Sequence, residues 1–260
     1  MPEQPEVERA AARLREALVG RRLRAVDALH PAVRRTLDDA AAASLAGRTI
    51  VAVERRGKHQ LLRLDDGRTL HVHFRMAGDW DIGRVDGPLP RHARAVLTGD
   101  DGTRVALVDP RALSSIVVLD VGAALPALGP EADDPALDAP TLRAALARRR
   151  GPIKPVLLDQ RVLAGVGNIY AAEALWHARI DPRASAAALG PARVERLLEG
   201  IRTALADGAR AATRYGGDAE GASLAVYGRE GEPCRRCGAT IRRMVQAGRS
   251  TYYCPRCQRR

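Results

Sequence analysis

The sequence predicts an α+β chain: an N-terminal helix and an antiparallel β-sandwich or barrel, then a helical half that ends in a four-cysteine zinc hairpin. Three observations carry that class. A single apolar stripe repeats at helical spacing near the start. Many short β-rich runs separated by tight-turn signals follow it. A stretch of helical periodicity then leads to two C-x-x-C pairs at the end.

Pro5 to Leu18 reads as the first helix, with Val7, Ala11, Leu14 and Leu18 on one face and Gly20 as its stop. From about Arg22 to Asp120 the pattern changes to strands. Residues 49–53, 60–64, 69–74, 95–97, 105–108 and 115–119 are short and β-rich, and Asp65-Asp66-Gly67 and Asp100-Asp101-Gly102 are hairpin signals. Arg55-Arg56-Gly57-Lys58 reads as a basic loop with a glycine hinge. His71 and His73 alternate along one strand and so share a face; two histidines alone are more often structural than metal-binding. Arg75-Met76-Ala77-Gly78 and Asp109-Pro110-Arg111-Ala112-Leu113 follow strands and read as loops. A methionine or leucine there suits core packing or, if exposed, a wedge for DNA.

Residues 121–140, rich in Gly, Ala, Pro and Asp, read as a linker. Helices are expected over 141–150, 152–160, 168–180 and 193–211. The Gly165-Val166-Gly167 turn before Asn168 suits an anion, because backbone N–H groups converge at the start of the next helix. Asn168 can cap that helix or donate to a phosphate, and Lys154 lies in the preceding helix; an ordinary helical hairpin with an Asn cap explains these residues equally well. Cys234, Cys237, Cys254 and Cys257 are all the cysteines in the chain, and sixteen residues separate the pairs. That spacing predicts one closed, structural Zn2+ site stapling a hairpin too short for its own core. Nine arginines against Glu230 and Glu232 in this tail point it at nucleic acid.

The net charge of +11 suggests a polyanionic partner. No apolar run is long enough to span a bilayer and no leader precedes a cleavage site, so a soluble, intracellular protein is expected, without a membrane partner. Of 42 basic residues only Lys58 and Lys154 are lysines, and Asn168 is the one asparagine. In a chain biased so far towards arginine, the two lysines suggest positions where a compact or deprotonatable amine is wanted. At the start, removal of Met1 would leave Pro2 with a secondary amine able to attack a sugar carbon and form an iminium, with Glu3 beside it as an acid or base. The same residues suit the first turn of a helix, and alone they do not decide between the two.

Taken together, the chain resembles the formamidopyrimidine-DNA glycosylase/endonuclease VIII family nearly end to end. The resemblance rests on Pro2-Glu3-x-Pro5-Glu6-Val7-Glu8, Arg56-Gly57-Lys58, Asp109-Pro110-Arg111, Ile153-Lys154-Pro155, residues 164–170, and Val226-Tyr227-Gly228-Arg229 leading to the zinc finger with Gly248-Arg249-Ser250-Thr251. It implies a β-sandwich catalytic domain over 1–122, a linker over 123–140, a helix–two-turn–helix domain over 141–228 and a zinc finger over 229–260. It also implies a bifunctional DNA glycosylase and abasic-site lyase of base-excision repair. Pro2 would be the nucleophile, Glu3 the acid/base and Lys58 the hairpin lysine that positions DNA and the catalytic groups. Lys154 and Asn168 would contact phosphate, and Arg249 would grip the lesion strand. Met76 and Arg111 would fill the void left by the extruded nucleotide. The partner implied is damaged double-stranded DNA, met by a monomer in the bacterial cytoplasm.

The chain departs from the guanine-lesion branch at Leu113 (usually phenylalanine), at Ser114 (usually glycine) and over 215–223, a shorter stretch than usual. Leucine can wedge but stacks less well. Weakened 8-oxoguanine excision, with retained action on ring-opened purines, other oxidised bases or abasic sites, is therefore expected. Two alternatives remain: an endonuclease VIII-like glycosylase for oxidised pyrimidines, and a non-catalytic zinc-finger DNA-binding protein.

Overall fold

Helix α1 (Gln4–Leu18) turns its apolar stripe inward, with Val7, Ala11, Leu14 and Leu18 essentially without exposed surface. A computed structural model describes residues 1–210 and 224–260. They form two units, one of Met1–Pro2 with Glu6–Pro126, the other of Glu3–Pro5 with Ala127–Arg260. The stretch 215–223 lies outside the described residues.

In the first unit, β1 (Leu23–Ala28) is followed by two short helices, α2 (Pro31–Arg34) and α3 (Asp39–Ala43). Seven strands come next: β2 (Ile50–Arg56), β3 (His59–Leu64), β4 (Thr69–His73), β5 (Asp79–Arg84), β6 (Ala93–Gly99), β7 (Thr103–Val108) and β8 (Ser115–Leu119). They make two four-stranded antiparallel sheets, ordered β1-β6-β7-β5 and β2-β3-β4-β8. Both sheets and α1 supply one apolar core, in which Leu62, Leu70, Leu97, Leu107 and Ile116 have no exposed surface. This is the sandwich arrangement, with the inner faces of the two sheets meeting in the core. Trp80 closes the core beside Phe74, and its Nε1–H donates to Gln60 Oε1 at 2.9 Å.

Two readings of this unit change. Arg55 and Arg56 are the last residues of β2 rather than loop residues, and only Gly57 and Lys58 make the turn to β3, with Arg56 facing His59. Gly57 takes φ 57°, the backbone shape a two-residue hairpin asks of its first residue. Strands β1 and β5 were not expected; polar residues interrupt both, and pairing with β6 and β7 defines them.

The second unit is helical: α4 (Ala139–Ala147), α5 (Ile153–Leu158), α6 (Asn168–His177) and α7 (Pro191–Arg210), then a hairpin of β9 (Arg242–Gln246) and β10 (Arg249–Tyr253). Helices α6 and α7 approach closely because Gly200 faces the Ala174 carbonyl and Gly208 faces the Tyr170 ring; a Cβ at either would lie within 2.5 Å of a neighbour. The turn between α5 and α6 is clamped by Gln160, which accepts from Gly165 N at 3.0 Å and donates to the Val166 carbonyl at 2.9 Å. Glu173, buried on α6, accepts from the backbone N–H groups of Ala225, Val226 and Tyr227 at 2.7–3.0 Å, anchoring the lead-in to the zinc hairpin. Among the described residues, no helix is long and apolar enough to cross a membrane.

Candidate active site and zinc centre

Helix α6 begins without a side-chain cap of its own: Gly167 is its N-cap residue. The anion at this helix start is the Glu3 carboxylate, whose Oε1 accepts from Ile169 N at 2.9 Å and Oε2 from Tyr170 N at 3.3 Å. The Gly-x-Gly turn therefore meets the expectation of an anion site with a residue of the chain itself, using the helix's free N–H groups and dipole. Glycine is needed at 167, since a Cβ there would lie 2.3–2.6 Å from the Glu3 carboxyl atoms. Gln4 N also donates to the Gly165 carbonyl at 3.2 Å, so the N-terminal segment is tied to the turn by backbone as well.

Asn168 does not cap α6. Its Oδ1 accepts from Lys154 Nζ at 2.5 Å and its Nδ2 donates to the Ser250 carbonyl at 3.0 Å. Lys154 Nζ also donates to the Ser250 carbonyl at 3.1 Å and to Thr251 Oγ1 at 2.8 Å. With no exposed surface, Lys154 places its three protons on these three acceptors and so holds Asn168 and β10 together. Burial and the Arg249 charge push its amine down to about 8, against the opposing pull of the Glu3 carboxylate. Asn168 is half-buried and Arg249, at the start of β10, is exposed. Of the residues singled out in the sequence, the structure brings Lys154 and Asn168 together; the lock they form with Ser250 and Thr251 was not foreseen, although both lie in a motif that was singled out.

In the first unit Pro2 is buried and follows Met1, so its nitrogen is an amide in this chain and becomes a secondary amine once Met1 is removed. Lys58 is buried in the β2–β3 turn. Met76 and Leu113 are among the exposed large apolar residues, at 41% and 47%, and Arg111 is exposed beside Leu113. Each of their two loops holds a non-glycine residue in the left-handed region, Arg75 at φ 53° and Ala112 at φ 52°. Such strain persists only where surrounding bonds over-determine it. Those bonds come from Asp109, fully buried, which accepts from the N–H groups of Arg111, Leu113 and Ser114 at 2.7–3.0 Å. The Ser114 hydroxyl lies 2.8 Å from Asp109 Oδ2 and 3.0 Å from the Phe74 carbonyl, joining the two loops. Burial alone would raise the Asp109 carboxyl; these N–H and O–H groups hold it below the usual carboxylate value.

The four cysteine sulfurs lie within 4.8 Å of one another, with Cys234–Cys257 at 3.9 Å and Cys237–Cys254 at 3.5 Å. Tetrahedral zinc with bonds of about 2.3 Å sets sulfurs about 3.8 Å apart, so the set fits one zinc ion with no position open. The zinc is structural.

The molecule's likeness to known proteins runs its full length. Residues 1–116 match the model of the formamidopyrimidine-DNA glycosylase N-terminal domain, 128–215 that of its H2TH domain, and 231–260 the zinc finger found in FPG and IleRS. A formamidopyrimidine-DNA glycosylase of Herpetosiphon aurantiacus is 44% identical over 99% of this chain and 100% of its own. One of Phenylobacterium zucineum is 41% identical with both chains fully covered. Among solved structures, the Lactococcus lactis Fpg complex with abasic-site DNA superposes with a TM-score of 0.90 at 30% identity, covering both chains fully. The MutM (Fpg) protein of Thermus thermophilus gives 0.86 at 37%, covering 99% of this chain and 98% of that one. With three family models in order along the chain and relatives this similar over their whole length, the chain belongs to the formamidopyrimidine-DNA glycosylase family.

Proposed function

We propose that this chain removes oxidised or ring-opened purines from double-stranded DNA in the bacterial cytoplasm and then cleaves the strand, with Pro2 as nucleophile. The observation that carries the reading is the Glu3 carboxylate fixed at the start of α6, covalently next to Pro2. A reactive amine and a carboxylate in adjacent positions need one of them anchored if both are to meet a single sugar carbon.

The chemistry follows from those groups. The Pro2 amine, free once Met1 is gone, forms a bond to the anomeric carbon as the damaged base departs with its bonding pair and takes up a proton. The amine's own proton is lost, and ring opening leaves a cationic iminium. The iminium acidifies the neighbouring sugar carbon; loss of that proton expels the 3′ phosphate, and a second elimination expels the 5′ phosphate. Water then releases the sugar fragment and restores the amine. Glu3 handles protons at the sugar. Lys58 positions the DNA and the catalytic groups from its turn. Asn168 and Arg249 contact phosphates, and Lys154 positions them. Met76, Arg111 and Leu113 enter the gap left by the extruded nucleotide.

The deciding experiment is borohydride trapping on an abasic-site duplex. The trimmed protein is expected to give a covalent adduct that Pro2→Gly largely abolishes. No adduct with DNA binding intact would leave a non-catalytic binder. For the lesion, Leu113 in place of a stacking ring supports ring-opened purines over 8-oxoguanine; side-by-side excision rates showing a strong 8-oxoguanine preference would overturn that.

A further inference from the structure

At the end of the zinc hairpin away from Arg249, the second unit holds an open cavity of about 850 Å³ whose walls are almost entirely arginine. One wall is helical: Arg179 follows α6, and Arg193 and Arg196 stand in the first turns of α7. The other is the zinc knuckle, where Arg236 and Arg256 each precede the second cysteine of a C-x-x-C pair and Arg259 follows. Arg260 completes the lining. The rim is braced by backbone. Arg259 N donates to the Arg179 carbonyl at 3.1 Å, and the Arg259 carbonyl accepts from Asp181 N at 2.9 Å and Arg193 Nη2 at 3.0 Å. Arg236 donates to the Trp176 carbonyl at 3.0 Å while its guanidinium lies 4.0 Å from the centre of the Trp176 ring.

The hydrogen-bond and ring partners of these side chains are carbonyls and an indole, and the Asp181 carboxylate, which feels the Arg260 charge, is already paired with Arg183. Among the described residues no Asp or Glu lines the cavity and none of its arginines makes an ion pair with one, although arginines elsewhere in the chain pair repeatedly with Asp and Glu. Gathering like charges is costly. The zinc centre offsets some of that cost, since four thiolates around Zn2+ carry a net charge of about −2. The seven guanidinium groups of the lining still exceed it more than threefold. The remaining charge calls for an anion, and the planar fork of arginine matches phosphate oxygens two at a time.

We propose that this cavity binds the phosphate backbone of a second segment of duplex DNA. The identity of the anion follows from what the lining lacks. Apart from arginines it presents only Cys237 and Cys257, both zinc ligands, and the nearby Trp176 ring is already covered by Arg236. A free nucleotide or single strand would find no face for its base, whereas a duplex offers phosphates alone. The position is separate from the phosphate contacts assigned to Asn168 and Arg249, because the length of β10, about 14 Å at 3.4 Å per residue, lies between Arg249 and the knuckle. The protein can then hold one duplex at the lesion site while engaging another, and pass between them without going free in solution. The inference rests on the DNA-repair reading only for its choice of polyanion.

The test follows dissociation of the zinc-loaded protein from a labelled abasic-site duplex, under non-reacting conditions, as unlabelled undamaged duplex is added. The off-rate is expected to rise with competitor concentration, and Arg193→Gln/Arg196→Gln to reduce that dependence several-fold. Arg256→Gln, on the opposite wall, should act in the same direction. The logarithmic salt slope for the second duplex should fall by about 2 in the double variant. Unchanged zinc content and borohydride-adduct yield on a short duplex show that each variant is folded. An off-rate indifferent to competitor, or equal in wild type and variants, overturns the inference. Equal acceleration by polyglutamate at matched charge also overturns it and identifies an acidic polypeptide site. An adduct without competitor dependence defeats this inference alone; competitor dependence without an adduct defeats the catalytic reading alone.

Discussion

Lys154 shows how a single buried amine can govern a binding surface. Its three protons go to Asn168, Ser250 and Thr251, so on the proposed function it would shape the phosphate contacts of Asn168 and Arg249 from behind. Burial, with help from Arg249, brings its pKa from 10.5 to about 8, which sets a pH window. As pH rises through about 8 the folded protein loses that proton and one of its three donors. The unfolded chain keeps its proton until near 10.5, so folding stability gains over the interval in which folded Lys154 gives up a donor. DNA affinity measured from pH 7 to 9 is expected to fall several-fold in the wild type and to be low and flat in Lys154→Met. A wild-type affinity constant across that range would disprove the coupling.

Gly167 makes the same point about space. Its φ of −126° is open to any residue, so its importance lies in the 2.3–2.6 Å that would separate a Cβ from the Glu3 carboxyl. Gly167→Ala is expected to lower single-turnover base excision by about 10- to 100-fold through displacement of Glu3, with zinc content and abasic-DNA binding retained. Equal losses in binding and chemistry would mean that the turn itself had collapsed.

Among the elements, the zinc hairpin depends most on something other than its own packing. Two five-residue strands have little to bury, and the small cluster beneath them consists of Ala172, Val226, Ile241 and two of the zinc ligands, Cys234 and Cys254. Removing zinc is expected to release β9 and β10, and with them the Ser250 and Thr251 acceptors of Lys154. Hydrogen exchange after chelation should show protection lost across 242–253 and kept in the β2-β3-β4-β8 sheet, with DNA binding falling at least 10-fold. Persistent protection of the hairpin would show that the metal is dispensable to it.

The same contrast explains what was legible in the sequence. Helix α1 and strands β3, β4, β7 and β8 announce themselves through apolar periodicity, and the zinc site through spacing. Strands β1 and β5 do not, because Arg24 and Asp27 break one pattern and Asp79, Asp81 and Gly83 the other. Helices α2 and α3, at four and five residues, are too short to show a period. The site divides in the same way. Its residue types stood out as the only lysines and the only asparagine, but the bond from Glu3 to the start of α6 spans 166 residues of sequence and has no local signal. Asn168 looked like a helix cap because nothing nearby revealed that the capping carboxylate would come from the other end of the chain.

At the scale of the whole molecule, burying imidazoles inside a positively charged chain makes added protons costly, and three histidines show where. His71, His73 and His177 are all held below the ordinary imidazole value, chiefly by burial. His73 is the extreme, pushed down to about 3 by burial and then by His59, Arg75, His71 and Lys58. It belongs to a cluster on β3 and β4 in which His59 Nδ1 is 2.7 Å from His71 Nε2 and the His59 and His73 rings meet edge to face at 4.7 Å. Below about pH 6.5 the unfolded chain takes up a proton that folded His73 refuses until about pH 3, so stability falls as the solution is acidified through that interval. From pH 7.5 to 5 this one group accounts for up to about 2 kcal/mol. His73 Nδ1 accepts from Arg75 N at 3.0 Å, a bond an asparagine carbonyl can replace. His73→Asn should therefore stay folded at neutral pH and lose less stability than wild type between pH 7.5 and 5 in denaturant melts of the zinc-loaded protein. If the two lose stability in parallel, the acid sensitivity originates elsewhere, and His71 and His177 become the groups to replace.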